Sequence, residues 1–273
     1  MLRPRIIPCL LVRNNGLVKT KQFGEHRYVG DPINAVRIFN EKEADELIVL
    51  DIDASASNRE PDYKMIQNLA AECRMPLCYG GGIKSVEQAK RVMGLGVEKI
   101  AMSSAIMKDP TVVTEVAKQV GSQSVVAVLD VRRQATGYRI FVSNGRNDSG
   151  KCPVVFSRQL ETLGAGEILV NSIDNDGVMK GYDLFLIEEL RNSVKIPLTV
   201  LGGAGSLRDV AQVIDKFGTI GVAAGSLFVF KGTYRAVLIN YPSRAERESL
   251  QRNRPADSSS IGSASSAGAL SLR

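Results

Sequence analysis

The sequence of 273 residues contains one histidine, His26, and no tryptophan. Its four cysteines form no CxxC pair, so the donor spacing typical of a zinc site is missing, and we expect neither a metal nor a cofactor. Aromatic residues are few and the net charge of +6 is mild, which disfavours nucleic-acid binding. There is no run of 18 apolar residues and no signal-like N-terminus, so we expect a cytoplasmic protein that does not use a membrane.

Short apolar runs alternate with longer amphipathic stretches along the chain. The runs resemble strands buried on both faces of a parallel sheet, and they lie at 5–12, 46–52, 76–80, 97–102, 124–131, 166–172, 196–201 and 218–224. Helical patterns open at Asp31-Pro32 and recur at 62–73, 85–95, 109–120, 154–164, 183–193, 206–217 and 232–240. Eight strands that alternate with eight helices predict an α/β fold, the (β/α)8 TIM barrel, with a doubly wound open sheet as the alternative.

The chain carries the same half twice. Residues 6–12 recur as residues 125–131, and the glycine turn at 80–82 recurs at 202–203. A closed ring has room for two fourfold copies, so the repeat predicts a barrel over residues 1–242 with halves of about 1–122 and 123–242. The serine-rich segment 243–273 is predicted to be a disordered tail.

Two glycine turns predict phosphate binding. Each turn ends a buried strand and opens a helix, where exposed backbone amides attract an anion. The next strand of each half ends in small residues, Ser103-Ser104 and Gly225-Ser226. Two related cradles at one mouth indicate an elongated ligand with a phosphate at each end. The alternative is that the glycines only permit tight turns.

Acidic residues end several of the predicted strands. Asp130 ends the fifth strand, Asp51 ends the second, and Asp176 follows the sixth. A carboxylate at the carboxyl end of a barrel strand is well placed for proton transfer. The position that matches Asp130 in the first half is Leu11, so the two halves differ there. Some of these carboxylates could instead cap helices or hold loops.

Charged residues also mark the opposite end of the strands, and long loops follow two of them. Four charges of alternating sign lie at strand starts and could pair into a ring at the barrel floor or face water: Arg5, Glu46, Lys99 and Glu167. Loop 13–30 carries Lys19, and loop 132–152 contains a possible hairpin at 137–142. Long loops at this end of a barrel are commonly functional lids, the alternative being disordered surface loops.

Seven segments within residues 1–240 share the pattern of one known family. They are 5–10 (RIIPCL), 45–47 (DEL), 80–83 (GGGI), 121–123 (GSQ), 164–169 (GAGEIL), 174–177 (DNDG) and 202–205 (GGAG). Through them the chain resembles the HisF family, the cyclase subunit of imidazole glycerol phosphate synthase.

The resemblance implies a lyase that forms a heterodimer with a HisH-type glutaminase. Ammonia from that partner would enter the floor and meet a bisphosphate ribonucleotide at the mouth, giving imidazole glycerol phosphate and an aminoimidazole carboxamide ribotide for histidine biosynthesis. By position, the ammonia gate falls on Arg5, Glu46, Lys99 and Glu167, one catalytic aspartate on Asp130, and the partner interface on Glu98. The phosphate and substrate positions fall on Lys19, Gly81, Gly82, Ser103, Ser104, Asp176, Gly177, Gly202, Gly203, Gly225 and Ser226.

The chain departs from the family pattern at a catalytic position. The family uses two aspartates as general acid and base, and Leu11 occupies the second position. Val178 and Leu201 replace polar residues near one phosphate, and segments 223–232 and 238–242 resemble a paralogous branch. That branch works with a separate amidotransferase that installs acetamidino groups on the sugars of lipopolysaccharide. Three hypotheses follow: an ammonia relay for sugar amidination, an active cyclase that uses Asp51 or Asp176, or a non-catalytic phosphate-binding barrel.

Overall fold

Buried strands alternate with amphipathic helices through residues 3–252, which are the residues that the computed structural model describes. The strands are β1 Arg5–Arg13, β2 Gly16–Lys19, β3 Arg27–Gly30, β4 Leu47–Asp51, β5 Leu77–Gly80, β6 Lys99–Met102, β7 Val125–Gln134, β8 Gly137–Val142, β9 Asn147–Asp148, β10 Glu167–Ser172, β11 Leu198–Leu201, β12 Gly221–Ala224, β13 Phe230–Lys231 and β14 Ala236–Val237. The helices are α1 Pro32–Glu41, α2 Tyr63–Glu72, α3 Val86–Gly94, α4 Ser104–Lys108, α5 Val112–Val120, α6 Pro153–Thr162, α7 Leu184–Arg191, α8 Leu207–Phe217, α9 Ser226–Val229 and α10 Arg244–Arg252.

Eight of the strands close into a parallel barrel. The hydrogen-bonded order runs β1, β4, β5, β6, β7, β10, β11, β12 and back to β1. The predicted (β/α)8 barrel is confirmed, and the open sheet is excluded because β12 pairs with β1. The sequence repeat maps onto four neighbouring strands in each half, so β1 and β7 stand diametrically opposite each other.

Local signals in the sequence start the helices where the barrel needs them. The side chain of Asp31 accepts a hydrogen bond from Asn34 N (2.9 Å) and Pro32 is the first residue of α1, as predicted. A capping box formed by Ser206 and Asp209 opens α8. Such caps satisfy amides that would otherwise lack partners, and they fix where each chain segment leaves the mouth and turns back along the barrel.

The apolar residues form two separate cores. The larger one lies between the strands and the helices. The smaller one fills the barrel interior and consists of Ile7, Cys9, Ile48, Cys78, Ala101, Val126, Val128, Leu169, Leu201 and Ala223. Because this interior is apolar from the floor to the mouth, polar chemistry is confined to the two ends of the barrel.

Hairpins extend two opposite strands beyond the mouth. Strand β2 pairs antiparallel with β1, and β8 pairs antiparallel with β7. The predicted hairpin at 137–142 is therefore present, with these residues forming one of its two strands. Both long loops are built around such extensions, which bring their residues over the barrel mouth.

Two predictions about the end of the barrel are wrong. Residues 232–240 do not form the eighth helix, because Gly232 and Arg235 take positive φ angles (73° and 50°) and turn the chain into the β13–β14 hairpin. The predicted tail at 243–273 begins instead with helix α10, which is held because Arg247 donates to the carbonyls of Lys42 and Pro242 (3.1 and 3.2 Å). The rest of that tail lies outside the described residues. Within residues 3–252, no helix combines the length and apolarity required to cross a bilayer.

Candidate functional site

A cavity of about 210 Å³ opens at the carboxyl ends of the barrel strands. Its lower wall is apolar and includes Leu11, Leu50, Val128 and Leu201. Its upper wall is polar and is built from strand ends and from the two long loops. The carboxyl face is where barrel enzymes place their active sites, so this cavity is the candidate site.

Asp130 projects into this cavity from β7. Burial raises the pKa of its carboxyl from 3.8 to about 7, although a hydrogen bond from Asn171 opposes the rise. The Asn171 amide nitrogen lies 3.3 Å from Asp130 Oδ1, while its oxygen has no partner among the described residues. A carboxyl with a pKa near neutrality can both hold and release a proton, as a general acid or base requires. The amide of Asn171 fixes its orientation.

Leu11 faces Asp130 from the opposite side of the barrel. It lines the same cavity from β1, at the position equivalent to Asp130 in the other half of the barrel. Neighbouring side chains on this wall are also apolar, and Leu50 pairs with Leu11 on the next strand. The mouth therefore presents one titratable carboxyl at this level and an inert hydrocarbon across from it.

Asp51 and Asp176 also line the cavity, but each already holds a loop in place. Asp51 Oδ1 accepts from the amides of Asp53 and Ala54, both at 3.0 Å, and burial raises the pKa of its carboxyl. Asp176 Oδ2 accepts from the Thr20 hydroxyl at 2.9 Å, and burial raises its pKa as well. Both carboxylates combine a loop-holding contact with a position at the site.

Lys19 is buried at the mouth of the barrel. Its ammonium group donates to the Cys9 carbonyl at 2.5 Å, and burial lowers the pKa of the lysine. The loop that carries Lys19 is tied across the mouth because Gln22 N donates to the Asp176 carbonyl (2.8 Å). The predicted substrate lysine therefore reaches the cavity.

The same loop is also tied on the side of β4. Arg13 forms an ion pair with Asp53 (2.8 Å) and donates to His26 Nδ1 (2.8 Å). All three side chains line the cavity. No periodic pattern in the sequence predicts this network, which depends on the β2–β3 hairpin folding back over β1.

The first glycine turn and the serines after the next strand line the cavity. Gly81, Gly82, Ser103 and Ser104 all border it, and the amide of Gly82 donates to the Ser55 hydroxyl at 3.3 Å. Gly81 has a φ of 129°, and a Cβ there would lie 2.6 Å from the Asp51 carbonyl. The tight turn thus needs glycine for its own packing, while its amides remain at the cavity wall.

The second glycine turn is placed differently. Gly225 and Ser226 border the cavity, but Gly177, Gly202 and Gly203 are not part of its wall. The carbonyl of Gly203 accepts from Gly181 N at 2.9 Å, so the loop after β10 packs directly on this turn. The cavity wall therefore contains the residues of the first predicted cradle and only Gly225 and Ser226 of the second.

Four charged side chains form a closed ring at the floor of the barrel. Arg5 contacts Glu46 and donates to Glu167 (2.7 Å), while Lys99 donates to Glu46 (2.8 Å) and to Glu167 (2.9 Å). The two carboxylates are almost enclosed, with 5% and 6% of their side-chain surface exposed. The sequence predicted a possible ring, and the structure brings all four members together.

Thr199 is a member of the floor that the sequence reading missed. Its hydroxyl contacts Glu167 and accepts from Arg5 Nη2 at 3.2 Å. The available signal was a single polar residue within the buried strand β11. Asn171 was missed for the same reason, because it is an isolated amide near the end of β10.

Two further contacts brace the floor. Glu98 accepts from the amide of Leu77 at 2.7 Å, so it caps the start of β5 from the floor side. The Tyr241 hydroxyl donates to the Ile6 carbonyl (2.7 Å) and accepts from Asp45 N (3.2 Å). Tyr241 thus joins the segment between β14 and α10 to the residues beside Arg5 and Glu46.

A family model described as "Histidine biosynthesis protein" matches residues 5–235. The chain is 56% identical over 250 residues to "Putative imidazole glycerol phosphate synthase subunit hisF3" of Vibrio vulnificus (strain YJ016), covering 91% of this chain and 96% of that protein. It is 51% identical over 243 residues to the corresponding hisF2 protein of Pseudomonas aeruginosa, covering 89% and 97%.

A relative whose name lacks the word "Putative" is more distant. The chain is 39% identical over 229 residues to "Imidazole glycerol phosphate synthase subunit HisF" of Alkaliphilus metalliredigens (strain QYMF), covering 84% of this chain and 91% of that protein. The family match spans most of the barrel, and the resemblance inferred from the seven sequence segments is confirmed. The chain therefore belongs to the HisF family of histidine biosynthesis proteins.

Proposed function

We propose that this HisF-family barrel accepts ammonia from a HisH-type glutaminase and relays it to the mouth for amidination of a surface-polysaccharide sugar. In this proposal the barrel keeps the inlet and the phosphorylated-ligand site of its family but does not close an imidazole ring. One observation carries the proposal: Leu11 stands across the mouth from Asp130, where a second proton-transferring group would be needed.

The catalytic argument concerns proton transfer. Ring closure and bond cleavage at the mouth require an acid and a base, and each positioned group contributes about 10²–10⁴-fold in rate. Asp130, with its pKa raised to about 7 by burial, can serve as one of them. A leucine side chain neither gives nor takes a proton, so Leu11 removes the other.

The floor and the interior support the relay. The ring of Arg5, Glu46, Lys99 and Glu167 is net neutral and hydrogen-bonded, and the apolar interior begins directly above it. Transfer of a charged ammonium ion through such an interior would be costly, whereas neutral ammonia is a small dipole. The ring is therefore suited to exclude ions while its side chains rearrange to admit ammonia.

The partner is inferred from the names of the relatives and from the exposed floor. Those proteins are named as subunits of a synthase, which supports a second, glutaminase subunit for this chain. Glu98 lies beside the start of β5 at the floor, and we propose that it contacts that subunit. The chain is 51–56% identical to four relatives named "Putative" synthase subunits and 39% identical to the Alkaliphilus metalliredigens subunit named without that word, and this gap supports a specialised branch.

An active cyclase of histidine biosynthesis is the second candidate. It is favoured by Asp176, a carboxyl that lines the cavity and whose pKa burial raises. In that case Asp176 would take the place of the missing aspartate, at the expense of its hydrogen bond from Thr20. Asp51 is less suited because two backbone amides hold the same carboxylate oxygen.

A cyclase assay separates the two candidates. The purified barrel is given the bisphosphate substrate of the histidine pathway with saturating ammonium chloride, and formation of imidazole glycerol phosphate is measured. We expect turnover by the natural chain to stay below the detection limit, and turnover by Leu11→Asp, which restores a carboxylate opposite Asp130, to exceed that limit by at least about 100-fold.

The matched control is Leu50→Asp, which adds a carboxylate to the neighbouring strand of the same cavity wall and should give no gain. Robust turnover by the natural chain would overturn the relay proposal. Loss of that turnover in Asp176→Asn would then assign Asp176 as the substitute group.

A further inference from the structure

Two hairpins beside the mouth expose large aromatic and aliphatic side chains. Tyr28 is 66% exposed on the β2–β3 hairpin, and on the β13–β14 hairpin Tyr234 is 97% exposed while Val237 and Leu238 are also open. We call Tyr234, Val237 and Leu238, together with Lys231, the hairpin surface. Exposed aromatics held by ordered hairpins are typical anchors of protein–protein interfaces.

The backbone of the hairpin surface is well defined. Strand β13 pairs with β14, and the amide of Arg235 donates to the Gly232 carbonyl at 3.0 Å, which places Tyr234 in the turn. Beneath it, the buried ring of Phe230 is covered by the guanidinium groups of Arg27 (5.5 Å) and Arg235 (5.8 Å). These contacts join the β2–β3 hairpin to the β13–β14 hairpin, and we call the two joined hairpins the platform.

The platform adjoins the cavity at the mouth. His26 lines the cavity and directly precedes Arg27, and Ser226 lines it four residues before Phe230. Arg235 also donates to the Gly177 carbonyl at 2.6 Å, in the loop after β10. A protein bound to the hairpin surface would therefore lie against the rim of the mouth.

The charge of the platform indicates the chemistry of its partner. Arg27, Lys231 and Arg235 are clustered, and none forms an ion pair with a carboxylate of the described residues. A second copy of this chain, docked face to face, would bring these cations together and be repelled. An acidic face with an apolar depression for Tyr234 would match both the charge and the shape.

We infer that the hairpin surface docks the sugar amidotransferase that consumes the relayed ammonia, through an acidic, apolar face of that enzyme. This inference rests on the proposed function. Ammonia that escapes from an open mouth into neutral water becomes ammonium, so the consuming enzyme must cover the mouth. The hairpin surface is the exposed apolar region that adjoins the cavity on this side of the rim.

The test uses the intact barrel, its glutaminase and the purified sugar amidotransferase from the same cell. The variants are Tyr234→Ser and Lys231→Glu, both at exposed positions, and the control is Phe185→Ser on α7, which is 72% exposed and lies outside the hairpin surface. Two quantities are measured: the Kd for the amidotransferase, and sugar amidination with either glutamine or saturating ammonium chloride.

We expect both hairpin variants to raise the Kd at least tenfold and to lower glutamine-dependent amidination, with ammonium-dependent amidination unchanged. Phe185→Ser should behave as the natural chain does. If amidination proceeds and the hairpin variants bind as tightly as the natural chain, the docking surface is wrong while the relay stands.

If the natural chain supports no glutamine-dependent amidination, the relay itself fails and the docking inference fails with it. If Tyr234→Ser abolishes self-association in sedimentation analysis but leaves the Kd unchanged, the occupant is a second copy and the inference is overturned.

Discussion

Leu11 and Asp130 occupy equivalent positions in the two halves of the barrel. Leu11 pairs with Leu50 on the next barrel strand and with Val18 on its hairpin. Asp130 pairs in the same way with Asn171 and Phe141. The two positions therefore have equivalent backbone pairing but different side-chain chemistry. Of the two, only Asp130 can transfer a proton.

Asp130→Asn should flatten the pH dependence of stability. Between about pH 4 and pH 7 the folded chain keeps a proton on Asp130 that the unfolded chain has released, because burial raises its pKa to about 7. The free energy of unfolding therefore falls as the pH rises through this window. At pH 8 the variant should be more stable by about 2 kcal/mol, and below pH 4 the difference should vanish.

Urea unfolding followed by circular dichroism at pH 4, 6 and 8 measures this difference. The expected gain in the free energy of unfolding of Asp130→Asn is about half of that for a fully enclosed carboxyl, because Asp130 opens onto the cavity. A variant that retains the natural slope between pH 4 and pH 7 would show that Asp130 ionises near its ordinary pKa in the folded chain.

Lys99→Met should destabilise the fold by about 2–4 kcal/mol, because it leaves Glu46 and Glu167 enclosed with a single cation. Burial works to raise the pKa of Glu167, but Arg5 and Lys99 outweigh it and hold that pKa below 4.5. This stabilisation is present above about pH 4.5 and is lost as the pH falls, so the effect of the variant should shrink in acid.

Chemical unfolding at pH 7 and at pH 3.5 checks this expectation. Lys99→Arg, which keeps the positive charge, should lose much less stability than Lys99→Met. Lys216→Met provides the matched exposed case, since the Lys216–Glu188 pair (2.9 Å) lies on the surface and should contribute under about 1 kcal/mol. Equal losses for Lys99→Met and Lys216→Met would contradict an enclosed, coupled ring.

Gly221→Ala should disturb the floor although it adds one methyl group. A Cβ at position 221 would collide with Thr199 Oγ1 and lie 3.1 Å from Arg5 Nη2. Displacing either side chain loosens the contacts to Glu167, and overpacking of this kind costs about 1–3 kcal/mol.

Gly94→Ala is the matched control for that variant. Position 94 lies at the end of α3, where an added Cβ meets nothing within 4 Å, so the same substitution should stabilise the chain by about 0.4–1 kcal/mol. Thermal unfolding of both variants measures the contrast. If Gly221→Ala unfolds at the same temperature as the natural chain, the floor can shift without loss of stability.

Strand positions and strand ends were readable from the sequence because burial on both faces leaves uninterrupted apolar runs. The repeat aligns β1 with β7, so the equivalence of Leu11 and Asp130 could be predicted before any coordinates. The ring members were readable as charges at strand starts, although their mutual contacts depend on barrel closure.

The structure of the residues that follow the last barrel strand could not be predicted from the sequence in the same way. Residues 232–240 have a helical composition, but Gly232 and Arg235 adopt positive φ and form a hairpin. Helix α10 is highly charged, and its contacts are made by Arg247 with carbonyls that are distant in sequence. Tertiary hydrogen bonds, rather than local periodicity, decide both elements.

Tyr241 ties the charged ring at the barrel floor to the segment between β14 and α10. Its hydroxyl bridges Ile6 and Asp45, and each of these adjoins a charged residue of the ring. Shortening the chain before Tyr241, or pulling on it through a fused domain, would therefore disturb the ring itself. Reporter fusions intended to leave the barrel floor intact should avoid strain on Tyr241.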